Sequence, residues 1–186
     1  MPGAPSVQYL PRSVNPRKFA YQDTLIEGKI APTSLNRFSS ALVGVNGTID
    51  VDLHFHLDES ATVVVDGRAS ANVVMICQRC LEEVSQTIVA EIKLAPVRDD
   101  ERSKTLAKIY DPWLVDSEDG SADLYAALED ELLLALPMVA CHTEPCIDIA
   151  LLSAKDLSID DDQIEKKEHP FQVLAQLKTN AQKPKT

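Results

Sequence analysis

Between Ile49 and Asp58 the chain alternates with a period of two. Ile49, Val51, Leu53, Phe55 and Leu57 share one side; Asp50, Asp52, His54, His56 and Asp58 share the other. Successive side chains of a strand point to opposite faces, so this pattern predicts a strand with one buried and one wet face. A turn at Asp58, Glu59 and Ser60 leads into Ala61 to Cys77. There Val63, Val65, Ala69, Ala71, Val73 and Met75 fall on one face and Asp66, Arg68, Ser70 and Asn72 on the other. Asp66-Gly67 marks a turn or a bulge inside this long segment. The alternation resumes with Val84, Gln86, Ile88, Ala90, Ile92 and Leu94, and Pro96 is expected to end it. Three long segments with short links predict an antiparallel meander, the pairing that lets one sheet face meet water.

The periodicity changes after residue 120. Leu124, Leu128 and Leu132 recur every four positions, with Ala127 and Ala135 widening the stripe. This predicts a helix packed by one face, with Ser121 as N-cap, Asp123 in the first turn and Pro137 as its stop. Residues 33–40 predict a short helix. Residues 1–20 predict an extended arm. Residues 98–120 predict an acidic loop, with Ile109, Tyr110, Trp113 and Leu114 as a short strand or anchor within it. Pro170 opens an amphipathic segment in which Phe171, Leu174 and Leu177 take helical spacing, and residues 179–186 read as a disordered tail. The fold class is α+β: an antiparallel β-meander packed against one main helix, with irregular acidic loops and a short C-terminal helix.

Composition narrows the function. Of 186 residues, 29 are acidic and 18 basic, a net charge of −11. Affinity for RNA comes largely from Lys and Arg neutralising phosphates, and no run of this sequence concentrates them. An acidic surface suits a basic protein partner, or serves solubility alone. No stretch reaches the roughly 20 apolar residues of a membrane helix. The N-terminus lacks a basic region followed by an apolar run, so a cytoplasmic protein is expected. Only six glycines are present, and no Gly-rich phosphate loop is among them. Aromatics make up 5% of the chain, so few are available for base stacking.

The cysteines are Cys77, Cys80, Cys141 and Cys146. Cys77-x-x-Cys80 at a strand-to-strand connection sets two thiolates to one side, half of a tetrahedral zinc site. Cys146 with His142, or with Cys141 in its place, would supply the other half. A structural zinc there would tie the helix exit to the end of the sheet and leave no position for substrate. The competing reading is neighbouring thiols without metal. A redox role needs a thioredoxin-like βαβ setting, which the meander does not supply. Glu129, Asp130 and Glu131 lie on one helix without converging acids from other elements, which argues against metal-dependent nuclease chemistry. They read as a solvated helix face or as a surface for a basic partner. Phe171, Leu174 and Leu177 would dock on the sheet or in a partner's groove. His54 and His56 read as part of the wet sheet face. No catalytic residue and no small-molecule substrate is expected.

Four ordered segments resemble the YceD family: Cys77-Gln78-Arg79-Cys80-Leu81-Glu82; Pro96-Val97-Arg98; Asp123-Leu124 with Leu128 to Val139, then His142 and Cys146; and His169-Pro170-Phe171 to Lys178. There are departures: Cys141 stands where some close relatives carry another residue, the interval from His142 to Cys146 is one residue shorter than in some relatives, and His169 stands where Asn is common in the family. The resemblance implies one domain over residues 1–178 and a non-enzymatic role in synthesis, processing or stability of large-subunit (23S) ribosomal RNA. The expected partner is a large-subunit assembly or rRNA-processing protein, with direct chaperoning of precursor rRNA as the alternative.

Overall fold

A computed structural model describes residues 10–115 and 119–148. Every described residue except Asp148 falls in one compact unit. The elements run β1 (Ser13–Val14), α1 (Pro16–Tyr21), β2 (Thr24–Ile30), a 3₁₀ turn (Pro32–Ser34), α2 (Asn36–Ser40), β3 (Gly44–Leu57), β4 (Val63–Ile76), β5 (Glu83–Val97), α3 (Asp100–Ser103), β6 (Asp111–Leu114), β7 (Ala122–Asp123) and α4 (Leu124–Leu134). The expected C-terminal helix with Phe171, Leu174 and Leu177, and the tail 179–186, lie outside the described residues.

The fold is α+β. Five strands form a sheet in the order β2-β3-β4-β5-β6, antiparallel except for the parallel β5–β6 pair; β1 and β7 form a separate antiparallel pair. The period-two pattern selects the buried face. Ile49, Val51, Leu53 and Phe55 are inside, as are Val65, Ala69, Ala71 and Val73, and Ile88, Ala90, Ile92 and Leu94. Leu124, Leu128 and Leu132 of α4 join the same core, as do Phe38 of α2 and Ala20 of α1. Burying such side chains contributes roughly 1.5–3 kcal/mol each, which is the main force holding helices to sheet.

Several elements differ from the sequence reading. β4 runs unbroken through Gly67, and the register shift falls in β3 between Asn46 and Asp50. Gly67 is instead a close approach: a Cβ there would sit 2.1 Å from the Asp52 carbonyl oxygen. β5 continues past Pro96 to Val97 because β6 pairs alongside it, Pro96 opposite Trp113. The segment expected as an extended arm contains β1 and α1. Asn15 caps α1 by accepting from the Lys18 N–H at 2.9 Å, with Pro16 at its first turn, and Leu10 and Val14 are buried. The segment 98–120 contains α3 and β6. The N-cap of α4 is Asp123, which accepts from Ala126 N–H at 3.0 Å, and not Ser121.

Candidate functional site

The β4–β5 connection is a tight knuckle. Cys77 N–H donates to Glu82 O (2.8 Å) and Leu81 N–H to Cys77 O (2.9 Å), closing the hairpin. Leu81 completes the turn at φ 65, a left-handed conformation that L residues rarely adopt. The segment leaving α4 is laced to this knuckle. Gln78 N–H donates to Ala140 O (2.8 Å), the Gln78 side chain to Met138 O (3.3 Å), and the Gln86 side chain to Cys141 O (3.0 Å).

That lacing brings Cys77, Cys80, His142 and Cys146 together, with their sulfur and nitrogen atoms all within 4.8 Å of one another. Cys77 Sγ lies 3.7 Å from Cys146 Sγ, and Cys80 Sγ lies 3.5 Å from His142 Nδ1. With metal–sulfur bonds of about 2.3 Å, the edges of a tetrahedral zinc site are about 3.8 Å, so these separations fit four donors facing a shared centre. The 3.7 Å separation is far too long for a disulfide, and all four cysteines are free thiols. His142 is oriented for the task. Its Nε2 lies 3.2 Å from Glu83 O and donates there, which leaves the Nδ1 lone pair toward Cys80. Cys141, the sequence alternative to His142, is half-buried outside the cluster; its carbonyl oxygen takes the Gln86 bond.

The donors are soft and carry no carboxylate, a set that suits zinc. Backbone N–H groups of Cys80, Arg79 and His142 surround Cys77 and outweigh burial, drawing its thiol down to about 5. Cys80 is pulled down by the Glu82 backbone, but burial and the Cys77 and Cys146 sulfurs prevail and push it up. Sulfurs crowded without a cation repel as thiolates; a divalent ion removes that conflict.

The acidic triplet of α4 divides three ways. Glu129 is buried at 8% exposure. Its carboxylate accepts from the N–H groups of Arg37 (2.7 Å) and Phe38 (3.1 Å) in the first turn of α2 and from Arg37 Nε (3.0 Å). It therefore fastens α2 to α4 and is not part of a solvated face. Asp130 is exposed and pairs with Arg37 at 2.7 Å. Glu131 is half-buried, and burial, then Asp111 and Asp130, raise its pKa above the usual carboxylate range.

Glu131 belongs to a groove of about 330 Å³ between β6 and α4. Asp111, Asp123, Asp130 and Glu131 line it beside Trp113 and Leu114, with no Lys or Arg among the lining residues. Sequence reasoning missed Asp111 and Asp123 as part of this surface, because the pairing of β6 with β5 is what carries Asp111 alongside α4.

The wet sheet face holds the remaining titratable cluster. His54 and His56 stack at 4.5 Å between ring centroids. Each has its own acid: His54 pairs with Asp23 and His56 with Asp66, both at 2.8 Å. Arg68 pairs with Asp52, and Lys29 with Asp50. A groove of about 750 Å³ follows this face past Glu27 and Glu91.

A mainly antiparallel α+β domain with a convergent Cys₃His cluster at one end of the sheet is thus the class of protein in view. Residues 65–178 match the family described as "Large ribosomal RNA subunit accumulation protein YceD". A Haemophilus influenzae protein of that same name is 34% identical over 169 residues, 91% of this chain and 96% of the relative. The chain belongs to the YceD family. No solved structure matches it. Among the described residues no helix is long and apolar enough to cross a membrane.

Proposed function

We propose that this chain supports accumulation of large-subunit ribosomal RNA as a non-catalytic factor acting through a basic protein of large-subunit assembly or rRNA processing. Family membership supports the RNA outcome. The observation that carries the protein-partner route is the groove between β6 and α4, where Asp111 and Glu131 have no paired cation among the described residues beside Trp113 and Leu114, while Asp123 and Asp130 already pair with Arg12 and Arg37. Such a site receives a Lys or Arg side chain: the apolar floor takes the methylene stem and the carboxylates take the charge. Glu131, held with a raised pKa by burial and its acidic neighbours, gains most from an arriving cation.

The Cys₃His cluster is proposed to hold a structural zinc through Cys77, Cys80, His142 and Cys146. Four protein donors close the coordination sphere, so the ion ties the segment leaving α4 to the hairpin and activates no water. Direct RNA chaperoning by the sheet has less support. Its wet face carries Glu27, Asp50, Asp52, Asp66 and Glu91 against Lys29, Arg68 and Lys93, and no aromatic ring besides the two histidines.

The test is crosslinking in cells with recovery of protein and RNA, comparing wild type with Asp111→Asn/Glu131→Gln. The expected outcome is a basic large-subunit or processing protein on wild type, its loss on the variant, and reduced large-subunit rRNA. Recovery of rRNA alone, with the variant indistinguishable, would reject the route.

A further inference from the structure

The sequence has seven arginines. Arg12, Arg37 and Arg68 pair with acids at 3.1 Å or less. Among the described residues Arg17, Arg79, Arg98 and Arg102 form no ion pair. Three of these four line a single cavity of about 210 Å³. Arg17 comes from α1, Arg98 from the end of β5 and Arg102 from α3, so the chain gathers them from positions 81 and 85 residues apart. Arg98 is also the last residue of Pro96-Val97-Arg98, the one family-like segment among the described residues to which neither the metal cluster nor the acidic groove gives a role.

The remaining described lining residues are uncharged. Val63, Val97 and Val115 form an apolar floor, and Gly120, at φ 70, closes one side with bare backbone. Of the described acids near it in sequence, Asp100 has an unpaired carboxylate and three others have partners of their own. Asp99 accepts from the Arg102 N–H at 2.8 Å, Asp119 from the Ser121 N–H at 2.8 Å, and Glu101 reaches Lys104 at 3.4 Å. Three exposed guanidinium groups gather around a cavity of this size in a chain of net charge −11, and no carboxylate is among its described lining residues. Arginine's planar fork matches phosphate oxygens two at a time, and the apolar floor limits screening by water.

The geometry points to a phosphate-binding site at Arg17, Arg98 and Arg102 that takes a phosphomonoester dianion. The cavity accommodates a terminal phosphate group and is too small for a stacked nucleoside as well. The two sources of that chemistry are the 5′-phosphate of an RNA strand and a free phosphate compound. Contacts to one phosphate supply weak affinity with a shallow salt dependence, unlike the steep dependence of a protein that tracks a backbone. The site is separate from the acidic groove and stands or falls independently of the protein-partner reading.

The experiment uses the full chain with three probes: inorganic phosphate, and one short single-stranded RNA with either a 5′-phosphate or a 5′-hydroxyl. Calorimetry is run on wild type, Arg98→Gln, Arg102→Gln and, as an equal charge change elsewhere, Arg68→Gln. Thermal melting checks that each variant is folded. The 5′-phosphorylated RNA is expected to bind at least tenfold tighter than the 5′-hydroxyl form, with inorganic phosphate competing. Arg98→Gln and Arg102→Gln should abolish the difference, and Arg68→Gln should keep it. Binding of inorganic phosphate that phosphorylated RNA does not displace would assign the site to a free phosphate compound. Equal binding of both RNAs with no phosphate binding, or full binding by folded Arg98→Gln and Arg102→Gln, would overturn it.

Discussion

Two clusters of titratable side chains lie on the sheet and differ in kind. On the wet face, His54 and His56 stack on each other and each imidazole has its own carboxylate, Asp23 or Asp66, at 2.8 Å. At the knuckle, Cys77, Cys80, His142 and Cys146 point donors at one another, and the outside bonds to them come from backbone groups such as the Arg79 N–H and Glu83 O. A paired cluster is complete and resists a ligand. A convergent cluster of soft donors around one centre is suited to an ion placed between them. Histidines on a strand are therefore a poor guide to a metal site here, whereas the crowding of soft donors is a good one.

The largest expected effect breaks the convergent cluster. Cys80→Ala, or removal of metal by a chelator, should lower stability by roughly 3 kcal/mol or more, since loss of a metal tie is among the most damaging single changes. Chemical denaturation reads it, and Cys141→Ala serves as the contrast with little change. Glu129→Ala comes next. Removing its carboxylate strands the N–H groups of Arg37 and Phe38, and an unsatisfied buried donor costs about 1–3 kcal/mol. A loss of about 2–4 kcal/mol by urea denaturation is expected, while Asp130→Ala, which breaks an exposed pair, should stay under about 1 kcal/mol.

Leu81→Gly sharpens the knuckle's role. Leu81 is 75% exposed at φ 65, so glycine relieves backbone strain while little burial is lost. A gain of about 1 kcal/mol or less is expected in thermal melts.

The smallest effect lies in the paired cluster. Burial lowers the pKa of His56, but its hydrogen bonds to Asp66 and to Leu57 O, with the Asp66 and Asp23 charges, outweigh it and raise the pKa above 6.5. A raised folded-state pKa means stability that is fully present below about pH 6.5 and lost as pH rises through the folded value. The pair is partly exposed, so the advantage of wild type over His56→Gln should be a few tenths of a kcal/mol at pH 5.5 and vanish by about pH 8. Denaturation at the two pH values checks it.

What the sequence made legible follows from the reach of each interaction. β3, β4 and β5 are written in period two because each buries one face along its length. β2 is not, because Leu25 faces water at 71% exposure and Gly28 offers the core no side chain. The first half of the Cys₃His cluster is a local spacing. The choice between Cys141 and His142 depends on the path after Ala140, which the bonds to Gln78 and Gln86 determine. Glu129 reads as a surface acid because the backbone groups it satisfies lie about ninety residues earlier in the chain. Arg17, Arg98 and Arg102 look scattered until the fold brings α1, α3 and the end of β5 around one cavity.

The convergent donor set of Cys77, Cys80, His142 and Cys146 is proposed to hold one ion as a structural tie. Native mass spectrometry of the chain, purified without chelator, tests this directly. One zinc per chain is predicted in wild type and in Cys141→Ala, with none in Cys80→Ala. A metal-free wild-type chain, with the stability of Cys80→Ala unchanged, would contradict it.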